Sequence, residues 1–253
     1  MDTPTGPLLP RSLGEARVPQ LPSAAFYIPD FITEDEERSI LDKIASAPKP
    51  RWKQLSRRRL QTWPSDLIHD KLVDAPLPSW LEDPIVTRLR SLRLQDDADA
   101  QSHIFFDSPH GRPNHVLINE YPPGIGIMPH KDGAAYHPIV CTVSLGASIC
   151  LSIYQANEDG ALDKNPIGRV LQEPRSLLIT TAELYTDYLH GIEDIVEDVE
   201  LSEHTIANWS LLRSSSAFHD GRNLRQMRTS LTYRDVLSVS RLGNKLGLFL
   251  GKK

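Results

Sequence analysis

Arg228-Thr229-Ser230-Leu231-Thr232-Tyr233-Arg234 is the stretch on which the fold turns. Its β-branched and aromatic residues favour an extended backbone, in which successive side chains point to opposite faces. Alternation then puts Arg228, Ser230, Thr232 and Arg234 on one face and Thr229, Leu231 and Tyr233 on the other. If the first face points into a barrel, two guanidinium groups are costly to bury without anionic partners, and a dicarboxylate supplies two. If it points outward, the same residues make an edge strand with solvated arginines. The strand by itself allows both.

Outward from it, VLINEY (116–121), PIVCTVSLG (138–146), SICLSIY (148–154) and RSLLIT (175–180) are short β-rich runs broken by Gly, Pro and polar residues. That is the pattern of a sandwich or barrel. A mainly β chain with flanking helices (α+β) is predicted, and 253 residues suit one such domain. Phe26–Pro29 reads as a short strand. Thr33, with Glu36 three residues on, resembles a capping box that opens a helix through about Ser46, with Ile40, Leu41 and Ile44 as its buried stripe. The expected division is a flexible leader (1–23), an N-terminal extension (24–111), a core (112–238) and a C-terminal tail (239–253). Two polar segments, 155–173 and 193–226, lack an apolar period and are expected to be surface loops.

The net charge of −5 argues against a surface coated in basic charge. Charge is nevertheless uneven. Residues 49–63, KPRWKQLSRRRLQTW, hold Lys49, Arg51, Lys53, Arg57, Arg58 and Arg59 with Trp52 and Trp63, and no acidic residue. The two cysteines, Cys141 and Cys150, fall in apolar runs, which excludes a disulfide framework and predicts small core residues. There is no signal-peptide pattern and no uncharged run of spanning length, so a cytoplasmic or nuclear setting without a membrane partner is expected.

His130-Lys131-Asp132 puts an imidazole and a carboxylate on one face of an extended backbone, where both can meet one ion. In a chain with nine histidines and 33 acidic residues, about one such His-x-acid pair arises by chance. A third ligand must come from elsewhere, and His190, after the apolar run Leu177–Thr180, is the candidate, although a lone histidine there also suits a core. Two imidazoles and one carboxylate leave open positions of the kind ferrous oxygenases use, and a zinc hydrolase can use similar ligands. Asn119 and Tyr121 share a face just before the Pro122-Pro123-Gly124 turn. They can hydrogen-bond a keto acid, or cap a turn and pack in the core.

Taken in order, N-x-Y, H-x-D, a distant His and R-x-S-x-x-x-R resemble the AlkB family of Fe(II)- and 2-oxoglutarate-dependent dioxygenases. The likeness extends to the Phe26–Phe31 entry, APKPRWKQLS (47–56), NEYPPGIGIMPHKDG (119–133), EPRSLLIT (173–180), LHGI (189–192) and GLFLGK (247–252), which are similar to the AlkB homolog 6 subgroup. The resemblance implies a double-stranded β-helix, or jelly roll, with His130, Asp132 and His190 as iron ligands. It places Arg228 on the distal carboxylate of 2-oxoglutarate and Arg234 near the iron-side carboxylate, with Asn119 and Tyr121 bonded to the same molecule. Ser230 stands where many members carry Asn. Fe(II), 2-oxoglutarate and O2 are the implied cofactor and co-substrates, with succinate, CO2 and, from an N-methyl group, formaldehyde as products.

Family relatives act on alkylated bases, which must be unpaired or extruded to enter a pocket. Residues 49–63 are the candidate lid, with Arg57, Arg58 and Arg59 near phosphates and Trp52 or Trp63 stacking on a base. The competing reading is a solvated charged face over packed tryptophans. Three functions follow: oxidative demethylation of DNA or RNA, hydroxylation or demethylation of a protein side chain, and a nucleic-acid-binding module without turnover. Methylated oligonucleotides against methylated peptides separate the first two, and an anaerobic titration of iron and 2-oxoglutarate isolates the third.

Overall fold

A computed structural model describes residues 6–22, 24–94, 102–155, 163 and 165–240. Fifteen strands are described: β1 (Ala25–Ile28), β2 (Lys53–Gln54), β3 (Arg59–Trp63), β4 (Lys71–Val73), β5 (His115–Tyr121), β6 (Ile127–His130), β7 (Ile139–Leu145), β8 (Ile149–Gln155), β9 (Gly168–Gln172), β10 (Leu177–Thr181), β11 (Tyr188–Ile192), β12 (Glu197–Asp198), β13 (Asn223–Leu224), β14 (Arg228–Arg234) and β15 (Ser238–Ser240). A major sheet runs β1-β10-β7-β14-β5-β3-β2 and a minor sheet β6-β11-β8-β9, every pairing within them antiparallel. Two such sheets face to face make the jelly roll that the β-rich pattern and the resemblance both imply.

The period of two decides what each sheet face does. β14 lies at the centre of the major sheet with all seven residues buried, so it is not an edge strand. Leu231 and Tyr233 join Val116, Ile118, Cys141, Val143, Leu177 and Ile179 in one apolar cluster on the outer face. The helix Glu34–Ala45 covers that face, beginning at the capping box predicted for Thr33 and Glu36 and burying Ile40 and Ile44, with Leu41 half-buried. The inner face, with Arg228, Ser230, Thr232 and Arg234, looks across a cavity to the minor sheet.

Four expectations about organisation change. The segment read as a flexible leader packs: Leu13, Ala16, Val18 and Leu21 are buried, and the backbone N–H groups of Leu13 and Val18 bond Arg93 O and Ala25 O at 2.9 Å. Those anchors are spaced too irregularly to show a helical or strand period; residues 1–5 and 23 lie outside the described part. The extension 24–111 is not separate from the core, because β1, β2 and β3 are strands of the major sheet. Within 155–173, Gly168–Gln172 is strand β9 of the minor sheet, while residues 156–162 and 164 lie outside the described part. Within 193–226, Leu201, Ile206 and Phe218 pack on Cys150 and Leu171. A buried Asp198–Arg225 ion pair at 2.6 Å pins this segment, and the Asn208 side chain bonds both Leu171 N and Leu171 O at 2.9 Å. Of the tail, only Val239 and Ser240 are described, in β15; the GLFLGK motif lies beyond.

β6 can reach β11 only because Gly126 has no side chain. A Cβ there would stand 2.0 Å from the Ile192 carbonyl oxygen, a backbone atom that cannot step aside. Gly126→Ala should therefore destabilise by at least about 3 kcal/mol, the upper end of overpacking costs. Thr33→Ala, which removes one cap bond, should cost about 1 kcal/mol. Urea unfolding midpoints of the two variants check the order.

Candidate active site

The cavity between the sheets has a volume of about 510 Å³, in the range of small-molecule sites. At its inner end lies Arg228, 2 % exposed, whose guanidinium donates to Ser144 Oγ at 2.8 Å and Gln172 Oε1 at 3.1 Å. Tyr121 lies beside it, the guanidinium carbon 5.3 Å from the ring centroid. Both hydrogen-bond partners are neutral, and no carboxylate pairs with Arg228 among the described residues. Burial pushes its pKa down to about 10, so it remains a cation at neutral pH. A buried charge held only by neutral dipoles is an arrangement that an anion completes.

The neighbouring strands bring the other predicted residues to the same wall. Register pairs Arg228 with Tyr121, and Ser230 with Asn119 on one side and Ser144 on the other. Asn119, Tyr121, Ser230 and Arg234 all line the cavity. Burial raises the Tyr121 pKa, which keeps its phenol protonated and able to donate. Arg234 lies at the opposite end of β14, bonded to Asp132 at 2.5 Å, its guanidinium 4.7 Å from the centre of the Tyr136 ring. Its Nε is buried with no partner. Gln172, Ser144 and Tyr136 were not singled out in the sequence: Gln172 fell in a segment read as loop, and Ser144 in an apolar run.

His130 and His190 are register partners across β6 and β11, their ring centroids 4.5 Å apart. His190 Nε2 is 3.9 Å from Asp132 Oδ2. His130 Nδ1 bonds the Met128 carbonyl at 2.9 Å, which assigns the proton to Nδ1 and leaves the Nε2 lone pair for a metal. Burial pushes the His190 imidazole down to about 4, so it is the neutral form a metal needs. Among the described residues no three His, Cys, Asp or Glu side chains already close round one point. The Asp132 oxygen that faces His190 is Oδ2, the one not bonded to Arg234. The donor types and the convergence fit a divalent transition metal with open positions.

The lid residues divide. Arg58 lines the cavity mouth, Nε 3.5 Å from Asn119 Oδ1, together with Leu60, Leu67 and Asp70. Arg57 is bonded to Asp194 and donates to Gly124 O at 3.3 Å, while Arg59 is bonded to Glu120 and lies 4.0 Å over the Trp52 ring. Trp63 packs edge-on against Trp80 at 5.6 Å and carries Arg51 on its face. Neither Trp52 nor Trp63 lines the cavity; both pack against the core on the outer side of the sheet. Neither tryptophan stands where it could stack on a base inside the cavity, and Arg57 and Arg59 are each already paired with a carboxylate. Alternation explains the split, because Arg59, Gln61 and Trp63 point away from the face that carries Leu60.

Residues 24–234 match the family described as the 2OG-Fe(II) oxygenase superfamily, and the chain belongs to it. Within that class it is AlkB-like. It is 39 % identical to a zebrafish (Danio rerio) protein named "Probable RNA/DNA demethylase ALKBH6", over 93 % of this chain and 94 % of that one. It is 28 % identical to a Xenopus tropicalis tRNA (carboxymethyluridine(34)-5-O)-methyltransferase, alkbh8, over 88 % of this chain but only 33 % of that longer protein. The solved structure of OsALKBH1 shares the fold, with a TM-score of 0.53 at 16 % identity, covering 85 % of this chain and 99 % of that one. The chain is thus an oxidoreductase, a dioxygenase that uses Fe(II), 2-oxoglutarate and O2. No described helix is long and apolar enough to cross a membrane.

His115, the register partner of Arg234, is 2 % exposed with both ring nitrogens unpartnered. Burial, and then the charge of Arg234, push its pKa down to about 4. The unfolded chain takes up this proton near pH 6.5 and the folded chain near 4, so the stability is full above 6.5 and is lost as pH falls through that window. Urea midpoints measured from pH 7 to 4.5 should fall, and His115→Phe should flatten that limb.

Proposed function

We propose that the chain is an oxidative demethylase of alkylated DNA or RNA. His130, Asp132 and His190 are its iron ligands, and Arg228, Arg234, Asn119, Tyr121 and Ser230 are the cradle of its 2-oxoglutarate. The observation that carries the co-substrate assignment is Arg228, a fully buried cation bonded, among the described residues, only to Ser144 and Gln172. When bound, iron and 2-oxoglutarate supply oxidation of a substrate C–H bond by O2, with succinate and CO2 leaving and a hydroxylated N-methyl group falling away as formaldehyde.

The chain's own groups bind and orient. Arg228 takes the distal carboxylate in a water-excluded pocket, where a charge-assisted bond is strongest. Tyr121 and Ser230 donate hydroxyl protons to the same molecule, and Asn119 offers its amide. Arg234 holds the near carboxylate on the side of Asp132. Leu117, Val140, Leu151 and Leu178 form apolar walls that keep bulk water out.

The nucleic-acid substrate is supported by the activity for which the zebrafish relative is named and by Arg58, which stands at the mouth with no acidic partner among the described residues. Arg57 and Arg59 are neutralised by Asp194 and Glu120, and Lys53 by Asp66 at 2.5 Å. The lid thus offers a phosphate few free cations, and binding should depend on salt only weakly.

The test offers N-methylated single-stranded DNA and RNA oligonucleotides, and methylated peptides, to the iron-loaded enzyme. Loss of the methyl group from an oligonucleotide, with formaldehyde released, is expected; turnover of peptides alone would sink this reading. Arg58→Ser should raise KM for the oligonucleotide and reduce the salt slope by about one unit. Arg57→Ser and Arg59→Ser should change both far less. An Arg58→Ser enzyme with an unaltered salt slope would show that no phosphate rests there.

A further inference from the structure

Two of the three metal-ligand positions are fixed by the sheet and the third is not. His130 ends β6 and His190 lies in the middle of β11, and the two are paired across the ladder. Asp132 comes two residues after β6 has ended, so no ladder bond between β6 and β11 sets its backbone. Arg234 holds one carboxylate oxygen, and the backbone that carries it needs a hold of its own.

The short helix Ala182–Thr186 lies immediately before β11. It makes two hydrogen bonds to the residues that flank Asp132. The Tyr185 hydroxyl donates to Gly133 O at 2.6 Å, and Lys131 Nζ donates to Thr186 O at 2.8 Å. Tyr185 is buried, 8 % exposed, and burial pushes its phenol up to about 12, so it keeps its proton. Lys131 meets the carbonyl end of the helix, where a cation is favoured. Ala182 enters the helix at φ +45°, a left-handed backbone that residues with a side chain avoid, so the chain accepts a strained start to bring Tyr185 and Thr186 to this place.

We infer that the Ala182–Thr186 helix is a clip, acting through Tyr185 and Lys131, that fixes Asp132 relative to His190 and so completes the metal site. Tyr185 and Lys131 are positioning residues; neither touches the ion. The inference rests on the assignment of His130, Asp132 and His190 as ligands. One helix reads both halves of the site: its C-terminal end leads directly into the strand of His190, the Tyr185 hydroxyl holds the backbone just after Asp132, and the Thr186 carbonyl holds the side chain of the residue just before it. Without the clip, Arg234 alone holds the carboxylate, and the backbone from Lys131 to Gly133 must be ordered when the metal binds, at an entropic cost that appears in affinity.

The test titrates Co(II), a redox-stable probe, into the full chain by calorimetry, with its visible absorption as a second reading and urea unfolding of the metal-free protein as control. Tyr185→Phe should weaken Co(II) binding about tenfold, the low end of the effect of outer-shell partners. Its metal-free unfolding midpoint should change little. Lys131→Met, at an exposed side chain that the fold does not need, should weaken binding in the same direction, and Lys131→Arg should restore it. Wild-type Co(II) affinity in both Tyr185→Phe and Lys131→Met would overturn the clip while leaving the ligands in place. A wild-type chain that takes up no Co(II) would overturn the ligand assignment and the clip with it.

Discussion

A guanidinium sealed inside a β-sandwich, with a hydroxyl and an amide as its only hydrogen-bond partners among the described residues, constrains everything around it. Arg228 sits on the central strand of the major sheet, and the amide it needs, Gln172, comes from β9 of the minor sheet. The two sheets are thus tied at the inner end of the cavity by a charge neither can neutralise. An unpaired buried charge is among the most costly things a core can hold, so the sheet tolerates it at the expense of stability that an apolar residue would have supplied. An anion of small size and apolar backbone is what makes the arrangement complete.

The division of labour follows from the antiparallel registers. The major sheet lines up Arg228, Ser230 and Arg234 beside Tyr121 and Asn119, a wall of donors suited to two carboxylates and a keto group. The minor sheet presents the paired imidazoles of His130 and His190 from the opposite side. Asp132 and Arg234, bonded to each other, mark where the two walls meet. A ligand held by both walls would have one end on Arg228 and the other beside the imidazoles, which is the arrangement the proposed 2-oxoglutarate site needs.

The parts that were legible in the sequence are those written in a period. The alternation of Arg228–Arg234 predicted which side chains share a face, and Thr33 with Glu36 marked the helix start, because strand and cap rules act over a few residues. The stacking and packed readings of Trp52 and Trp63 could not be separated by composition, which does not say which face of β3 meets the cavity; a basic, aromatic run looks the same from either side. The acids that neutralise Arg57 and Arg59 lie 137 and 61 residues away in the chain. Leu13, Val18, Leu201 and Phe218 escaped for a related reason: irregular segments bury single apolar anchors without a period. Ser144 and Gln172 acquire their role only when three strands and two sheets are assembled around Arg228.

If Arg228 is held uncompensated for the sake of a dicarboxylate, thermal unfolding with redox-inert Mn(II), with and without 2-oxoglutarate, will show it, since a ligand that binds only the folded chain raises Tm by mass action. The wild-type chain should gain Tm when 2-oxoglutarate is added, and Arg228→Met should gain none at the same concentration. An equal rise in Arg228→Met would contradict the account.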